Sequence, residues 1–435
     1  MRGLACASGE VGTESTLEGT ETLQQPVTRS ESIPAERGAI FTSSRRPPAT
    51  MRAFAPSVAS LLLLRAASAS GPGQTLFSAY AGYPPCFRQP IIVSLPGSPR
   101  LVAFAEGRNN SYCSGSADGS NSSIHVRYSG DGGASWSPRA ELLHAPPQPD
   151  YLSAVASASG AVHLFVQSSP NLQLTSRDGG ATWSAPAPVK VALPPGYAAT
   201  PGVASGIQLS GALCAEPTCG GAAGRLVVAW VCHKGKVEGG RAPPPPPPPR
   251  LSDVSCAGCF SCLATSDDDG ATWTVGAVST QDGSREASLA QLASATVPGA
   301  SGAVIYASER NMGATPGTRW HAVSADSGAS FSRFGVDPAL PDGTTKNWTG
   351  ICAGLARLGS TLLFSTPTAA GERADLGFFR STDEAASWAA EGAIYAPGPA
   401  GYSDMTAIND THAAIIYENG AEEFAQQINF DVVHV

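Results

Sequence analysis

The sequence predicts an all-β protein, a six-bladed β-propeller, and three observations lead to this fold class. Its 435 residues include 48 Gly and 36 Pro, and both residue types destabilise the interior of an α-helix. An eight-residue pattern, Ser-x-Asp-x-Gly-x-Thr/Ser-Trp, occurs in three strong and two weaker copies. Six short apolar runs alternate with these octapeptides. Alternating repeats of this kind are typical of a propeller, in which each blade is a four-stranded sheet.

The five octapeptides are predicted to be tight hairpin turns. Asp accepts hydrogen bonds from nearby backbone N–H groups, and Gly adopts positive φ without strain. The aromatic residue at the end is expected to pack beneath the turn. The fifth copy has Ala385 where the others have Gly, so we expect a distorted turn there. The copies lie at residues 129–136, 176–183, 266–273, 324–331 and 381–388.

The six apolar runs are predicted to be the inner strands of the blades. Each is short, continuous and bounded by Gly, Ser or Arg, which is typical of a strand buried on both faces. One octapeptide follows each of the first five runs, whereas none follows the sixth. We therefore expect the N-terminal segment to supply the outer strand of the sixth blade and close the ring. The runs begin at residues 100, 160, 224, 302, 360 and 411.

The N-terminal 70 residues are predicted to lie outside this domain. Residues 1–50 are polar and lack apolar periodicity, so we expect an unstructured extension, with Met51 as the true start. The alternative is a disordered tail before a signal anchor. Residues 51–70 have a basic residue, an apolar run and small residues, the pattern of a secretory signal peptide. The run is too short for a bilayer, which needs about 20 residues, so no stable membrane span is expected.

Sequons and cysteines also point to the secretory pathway, with a secreted or lysosomal/vacuolar protein as the expected product. Nine of the ten cysteines follow residue 71. We expect Cys214 to pair with Cys219, further pairs among Cys232, Cys256, Cys259 and Cys262, and at least one free thiol. Four sequons could carry glycans. They begin at Asn109, Asn121, Asn347 and Asn409.

The predicted catalytic domain, residues 71–435, contains a Pro- and Cys-rich insertion at 234–262. Its seven consecutive prolines, 243–249, are typical of a solvated polyproline spacer without catalytic content. A docking ligand for a proline-binding domain is the weaker interpretation. The cysteines at 256–262 lack a His pair at zinc-finger spacing, so we expect no metal and no cofactor.

The net charge excludes one class of partner, and the polar residues that follow the apolar runs are candidates for a functional site. The formal net charge of −8 argues against a nucleic-acid partner, which needs a basic face. Ligand sites of propellers lie on the axis, where the inner strands end, so polar residues that follow the apolar runs are site candidates. These are Glu106 and Arg108, Arg310, and Glu418, and further candidates elsewhere are Arg88, Arg285, Glu286, Arg373 and Tyr402.

The octapeptides resemble the Asp-boxes of sialidases, and the order of the motifs resembles the exo-α-sialidases, or neuraminidases. The order runs from Phe-Arg-x-Pro at 87–90 through Ala-Glu-Gly-Arg at 105–108 to Tyr-Ser-Asp at 402–404 and Tyr-Glu at 417–418. The match covers roughly residues 75–435. The resemblance implies hydrolysis of terminal α-linked sialic acids from glycoproteins, glycolipids or oligosaccharides. It also implies retention of configuration and a tyrosyl–sialosyl intermediate.

The resemblance also implies roles for individual residues. Three arginines would grip the substrate carboxylate by bidentate, charge-assisted bonds. A Tyr nucleophile suits a substrate with a carboxylate on its anomeric carbon, because a carboxylate nucleophile would be repelled. An acid/base protonates the leaving oxygen and later activates water. The implied residues are Arg88, Arg310 and Arg373 for the grip, Glu418 to hold Arg88, Tyr402 as nucleophile, Glu286 as its base, Asp118 as acid/base, and Arg108 as a further substrate contact.

Two departures from the family pattern affect this assignment. Gln89 occupies a position that is more often aliphatic in the family, which is expected to alter strand packing and leave Arg88 in place. The loop of Asp118 is long and has sequons at Asn109 and Asn121, so glycans there would crowd the site. Three alternatives stay open: a trans-sialidase, a propeller lectin that binds without turnover, and a structural Asp-box propeller.

Overall fold

The computed structural model describes residues 73–78, 86–108, 122–144, 151–216, 219–235, 256–313, 317–345 and 349–435. Every described residue belongs to one compact unit, Leu63–Val435. The predicted extension, the signal peptide and the proline run at 243–249 lie outside the described residues. So do Asp118 and the sequon residues Asn109, Asn121 and Asn347.

The described residues form β-strands and two short 3₁₀ turns, Gly211–Leu213 and Ser294–Thr296, with no α-helix among them. None of the described segments is a helix long and apolar enough to cross a membrane. Two sheets of four antiparallel strands begin the domain. The first contains β2 (Cys86–Ser94), β3 (Leu101–Arg108), β4 (Ser122–Ser129) and β5 (Ala140–His144). The second contains β6 (Leu152–Ala156), β7 (Val162–Val166), β8 (Leu172–Ser176) and β9 (Ala187–Pro188).

The third sheet has six strands and the fourth has four. In the third, β10 pairs in parallel with β15, β15 with β14, β14 with β13, and β13 with both β11 and β12. Its strands are β10 (Val191–Ala192), β11 (Tyr197–Pro201), β12 (Ile207–Gln208), β13 (Leu226–Lys234), β14 (Cys259–Ser266) and β15 (Trp273–Val278). The fourth contains β16 (Ser284–Leu292), β17 (Val304–Asn311), β18 (Thr318–Ser324) and β19 (Arg333–Pro341).

The last sheet has seven strands, in the order β1-β25-β24-β23-β22-β21-β20. Its strands are β1 (Gln74–Ser78), β20 (Gly354–Leu358), β21 (Thr361–Pro367), β22 (Ala374–Ser381), β23 (Ala389–Asn409), β24 (His412–Asn419) and β25 (Gln427–His434). The long β23 pairs with β22 up to Pro399 and with β24 from Ala400 onward. The all-β, propeller-like prediction is confirmed, but a count of six blades requires this sheet to be divided at β23 and stays a prediction.

The first described strand closes the last sheet, as the missing octapeptide predicted. β1 pairs antiparallel with β25, with Gln74 opposite Phe430 and Phe77 opposite Ile428. The outer strand beside the last two strands of the chain therefore comes from its N-terminal part. Leu76 and Phe77 are buried in an apolar cluster with Ile416 and Ile428.

Five of the apolar runs lie next to an edge strand of their sheet, and the sixth, β24, lies third from the edge strand β1. The prediction that the runs are the innermost strands is therefore wrong. The innermost strands are β2, β6, β16, β20 and the second part of β23, which we call the central strands. Hydrogen bonds join central strands that are not paired neighbours. Ile92 N–H of the first sheet donates to Asp404 Oδ2 of the last (2.9 Å), and within the last sheet Gly354 N–H donates to Ser403 Oγ (3.2 Å). The strands of the apolar runs are buried because other parts of the protein cover both of their faces. A strand can be covered in this way without lying at the propeller axis.

The octapeptide turns share one hydrogen-bond pattern. In the first, Gly133 N–H donates to Ser129 Oγ (2.8 Å), and Ser135 N–H donates to Asp131 Oδ1 (2.9 Å). The fifth turn keeps both bonds, because Ala385 N–H donates to Ser381 Oγ (3.0 Å) and Ser387 N–H to Asp383 Oδ1 (2.9 Å). Ala385 adopts a φ of 64°. The expected distortion is therefore wrong: the alanine accepts the backbone conformation of a glycine.

The aromatic residues of the turns pack between neighbouring sheets. Trp183 of the second sheet meets Phe104 of the first at 5.5 Å between ring centroids, and Trp273 of the third meets Phe165 of the second at 4.9 Å. Trp136 of the first sheet meets Phe430 of the seven-stranded sheet at 5.1 Å. All three pairs are edge-to-face, a favourable geometry, so these tryptophans help to hold adjacent sheets together.

The cysteine predictions are confirmed. Cys214 pairs with Cys219, Cys232 with Cys262, and Cys256 with Cys259. Cys352 is a buried free thiol. The cysteines of the predicted insertion are thus disulfides that tie β13 to β14 and close a turn before β14.

Candidate active site

Three central strands carry Arg88, Glu286 and Tyr402, and each strand is irregular at that residue. The pairing register shifts after Arg88 in β2, after Arg285 in β16 and after Ala400 in β23. Gln89 and Glu286 have positive φ values of 56° and 46°. A β-bulge re-aims side chains, and non-glycine residues with positive φ often occur at functional sites. The irregularities turn these side chains toward one place.

Glu418 on β24 connects β2 with β23. Its Oε1 accepts from Arg88 Nε (2.7 Å) and from the backbone N–H of Gln89 (2.9 Å). Its Oε2 accepts from the backbone N–H of Tyr402 (2.9 Å). The Glu418 side chain is 0% exposed, so a charge that would be costly alone is stabilised by three donors. Glu418 holds Arg88, as the family pattern implied.

Three guanidinium groups surround the Tyr402 ring. The Cζ atoms of Arg88, Arg373 and Arg310 lie 5.2, 5.4 and 5.9 Å from its centroid. Arg88 and Arg310 stand on β2 and β17, while Arg373 directly precedes β22. All three side chains are buried. The structure therefore brings together the three arginines that the sequence nominated, around the tyrosine that it nominated.

Glu286 and Tyr402 share a donor. Arg310 Nη1 lies 2.6 Å from Glu286 Oε2 and 2.7 Å from the Tyr402 hydroxyl oxygen. Arg310 Nε donates to the backbone oxygen of Thr349 (3.1 Å). The neighbouring Tyr402 hydroxyl helps to lower the pKa of Glu286. The phenol oxygen thus accepts from the same guanidinium nitrogen that bonds the carboxylate.

The environment keeps the phenol neutral and the carboxylate ionised. Burial raises the pKa of Tyr402 to about 12, although Arg310 opposes this shift. Burial alone would also raise the pKa of Glu286, but the charges of Arg310 and Arg285 outweigh it and lower that pKa to about 2. Burial lowers the pKa of Arg373 to about 10. At neutral pH the site therefore holds a neutral phenol, an anionic base and cationic arginines.

The predicted roles of two further residues stay predictions. Arg108 is buried on β3, where its Nε and Nη2 lie 2.9 Å from Glu106 Oε2. Ser122 Oγ donates to the other oxygen of Glu106 (2.8 Å). Substrate contact by Arg108 stays a prediction. Asp118 lies outside the described residues, so its predicted role is not tested.

Two residues that lack an assigned role in the sequence interpretation also contact the cluster. Phe424 lies 5.1 Å from Arg88 Cζ and 5.2 Å from Arg373 Cζ. Arg285 Nε lies 3.4 Å from Glu286 Oε1. A cation directly before the predicted base was the available signal for Arg285. The sequence held no comparable signal for Phe424, whose ring packs so close to Gly401 that a Cβ there would collide with it and with Glu418.

The cluster is suited to bind an anion and to offer a nucleophile beside it. Guanidinium groups recognise carboxylates by charge and planar geometry, and a phenol beside a carboxylate base can act as a nucleophile. Among the residues that the structure describes, no group of three or more His, Cys, Asp or Glu side chains is arranged to hold a metal ion.

Known proteins resemble both the sequence and the fold. The BNR repeat-like domain family matches residues 99–415. A sialidase from Micromonospora viridifaciens is 30% identical over 173 residues, which cover 38% of this chain and 25% of the relative. The matched region thus spans a quarter of that relative's length.

Two solved structures share the fold at low identity. A Hadza microbial sialidase superposes with a TM-score of 0.63 at 18% identity, covering 83% of this chain and 68% of that one. The intramolecular trans-sialidase from Ruminococcus gnavus superposes with a TM-score of 0.60 at 14% identity, covering 83% of this chain and 97% of that one. The chain belongs to the BNR repeat-like family, and its propeller-like fold is that of the sialidases.

Proposed function

We propose that the protein is an exo-α-sialidase, a glycoside hydrolase that releases terminal α-linked sialic acids with retention of configuration. The observation that carries this proposal is the convergence of three guanidinium groups on the ring of Tyr402, within 5.2–5.9 Å. Sialic acid presents its carboxylate on the carbon that is attacked. A nucleophile that lies among carboxylate-binding groups is therefore correctly placed for this sugar.

The arginines would fix the substrate carboxylate before any bond changes. Arg88 is oriented by Glu418, and Arg310 by Glu286 and the Thr349 carbonyl. Side chains held in this way lose little further conformational freedom on binding, which favours both affinity and orientation. Arg373 completes the set from the position directly before β22.

Tyr402 would attack the anomeric carbon while Glu286 takes its proton. Because the pKa of Tyr402 is raised to about 12 and that of Glu286 lowered to about 2, the proton stays on the phenol at rest. It would transfer only as the new C–O bond forms, when positive charge at the anomeric carbon and the arginines favours the phenolate. Donation from Arg310 to the phenol oxygen supports the developing negative charge.

Asp118 would protonate the leaving oxygen and then activate the water that releases the sugar from Tyr402. Two displacements at one carbon give net retention. This assignment rests on the family resemblance, since Asp118 lies outside the described residues. The proposed chemistry requires no cofactor.

The proposal is tested with a fluorogenic sialoside and three purified proteins. We expect the wild type to hydrolyse it at pH 4–7, Tyr402→Phe to lose activity because the nucleophilic oxygen is gone, and Arg88→Ala to bind and turn over poorly. A Tyr402→Phe protein with full activity would contradict the mechanism. Release of free sialic acid, measured beside transfer to an added sugar, separates hydrolysis from trans-sialidase activity.

A wild type that binds sialic acid without turnover would instead be a lectin. The position of Glu286 beside Tyr402 favours an enzyme over a lectin. A lectin needs the arginines to bind the carboxylate but needs neither a nucleophile nor its base. Calorimetric titration with free sialic acid therefore decides between these functions when no hydrolysis is seen.

We further propose that the protein acts in the secretory route, either secreted or in a lysosomal or vacuolar compartment, on sialylated glycoproteins, glycolipids or oligosaccharides. The three disulfides of the described chain support this, since disulfides persist in oxidising compartments. Asn409, one of the sequon residues, is exposed at the end of β23. A mobility shift after enzymatic deglycosylation of the natural protein would test the route.

A further inference from the structure

Arg285 is a partly buried arginine beside the proposed base, and the reaction as proposed gives it no role. Its side chain is 14% exposed, and its Nε lies 3.4 Å from Glu286 Oε1. The other oxygen of the same carboxylate, Oε2, lies 2.6 Å from Arg310 Nη1. Each oxygen of Glu286 therefore faces a different guanidinium group, one from its own strand and one from β17.

Two contacts hold the Arg285 guanidinium in place from outside the catalytic cluster. Its Cζ lies 5.1 Å from the centroid of the Tyr151 ring, within the range of a cation–π interaction. Its Nη1 lies 3.8 Å from Cys256 Sγ. Arg285 is thus enclosed by Tyr151, Cys256 and Glu286, with little freedom to turn away from the carboxylate.

The turn that supplies Cys256 is itself fixed to the segment before Arg285. A disulfide joins Cys256 to Cys259. Gly258 N–H donates to Asp282 Oδ1 (2.6 Å), and Gly283 N–H donates to the Cys259 carbonyl (2.9 Å). The turn and the start of β16 therefore form one bonded unit around Arg285.

We propose that Arg285 is a positioning residue that keeps the Glu286 carboxylate ionised and aimed at Tyr402. The proposal rests on the proposed function, in which Glu286 takes the proton of Tyr402. Arg285 acts through Glu286 and is not assigned a contact with substrate. The disulfide-closed turn and Tyr151 hold Arg285 where it can do this.

The other groups that face Glu286 define what removal of Arg285 would change. Arg310 approaches from β17 and Tyr402 from β23. Cys352 faces it from the segment before β20, and burial together with the charge of Glu286 raises the pKa of that thiol, which stays neutral. Tyr402 is neutral as well. Without Arg285, the carboxylate would keep one adjacent cation, and its proton affinity would rise.

A pH profile of kcat/KM tests this in a way that a merely structural role would not affect. With the fluorogenic sialoside, we expect the acid limb of Arg285→Met to lie about one pH unit or more above that of the wild type. Arg285→Lys keeps the charge and should keep the limb in place. Arg285→Gln is a second neutral variant, and Arg177→Met removes an exposed arginine as a matched control. An unmoved limb in both neutral variants would overturn the proposal.

A double-mutant cycle gives a readout that does not require activity. The urea midpoints of wild type, Arg285→Met, Glu286→Gln and the double variant are expected to be non-additive, because the two side chains interact directly. Additive midpoints would overturn the proposal. A coupled cycle in a protein that hydrolyses no sialoside would support the Arg285–Glu286 pairing and contradict the proposed function, so the two failures are distinguishable.

Discussion

At the scale of single residues, the site depends on how charges are satisfied by neighbours. Glu418 has three donors on its two oxygens: the Arg88 side chain and two backbone N–H groups. The backbone donors belong to the bulged regions of β2 and β23. This one carboxylate therefore sets the position of an arginine and of the proposed nucleophile together.

We expect Glu418→Gln to lower kcat/KM by about 10²-fold, because displacement of reacting groups by about 1 Å has effects of that size. The glutamine side chain would direct its NH₂ group at an N–H donor that the carboxylate now accepts from. Two donors cannot form a hydrogen bond with each other. Both KM and kcat should worsen, since Arg88 and Tyr402 are affected together. Steady-state kinetics on the sialoside measure this, with exposed Glu423→Gln as control. A variant that changes only KM would show that Tyr402 keeps its place without Glu418.

At the scale of elements, the turns were readable from sequence and the central strands were not. Each turn is local, and its Ser, Asp and Gly occupy fixed positions, so the octapeptide shows it directly. The central strands β2, β16 and β23 are interrupted by bulges that carry polar residues. β23 also contains several Gly and Pro residues. Their strand character comes from pairing with neighbours and from hydrogen bonds across sheets, which no local pattern reports.

The main residues of the candidate site could be predicted from the sequence, but the contacts that hold them in place could not. Arg88, Arg310, Arg373, Tyr402 and Glu286 were nominated by motif order, and the structure brings them together. The contact of Arg285 with Glu286 depends on a bulge at a positive-φ glutamate. The packing of Phe424 on two arginines depends on a loop that returns over Gly401. Both follow from tertiary geometry.

The fifth octapeptide turn offers a stability test. Ala385 occupies φ 64°, where the equivalent glycines have values of 80–94°, and a left-handed backbone is costly for residues with a Cβ. We expect Ala385→Gly to stabilise the protein by about 1 kcal/mol, measured by urea denaturation. Ala386→Gly is the matched control: it lies outside the positive-φ residues and should destabilise through unfolded-chain entropy. A destabilised Ala385→Gly would mean that the lost methyl packing outweighs the relief of strain.

At the scale of the whole molecule, buried carboxyl groups make stability depend on pH. Burial raises the pKa of Glu309 from 4.5 to about 7, despite donation from Gln281 and Ser279. Burial raises that of Asp404 to about 7 as well. Between about pH 4.5 and 7 the folded state binds more protons at Glu309 than the unfolded chain does. The contribution of Glu309 to the free energy of unfolding therefore falls as pH rises through that window.

We expect the thermal midpoint of the wild type to be higher at pH 5 than at pH 8. Glu309→Gln should reduce this difference, because the amide keeps the shape and cannot ionise. The contribution of Glu309 is roughly 3 kcal/mol at most, from the size of its shift. Scanning calorimetry from pH 5 to 8 measures it, with exposed Glu422→Gln as control. Equal pH dependence in Glu309→Gln and the wild type would show that this carboxyl is ionised throughout.

The way Glu418 joins Arg88 and Tyr402 has a consequence for when the protein becomes competent during its own synthesis. Arg88 and Glu418 are 330 positions apart in sequence, and Glu286, Arg310 and Arg373 are made between them. A ribosome delivers Arg88 first and its carboxylate partner 330 positions later. The first four sheets would therefore be made before the arginine–tyrosine cluster can assemble, and the proposed activity would begin only when β24 takes its place beside β23.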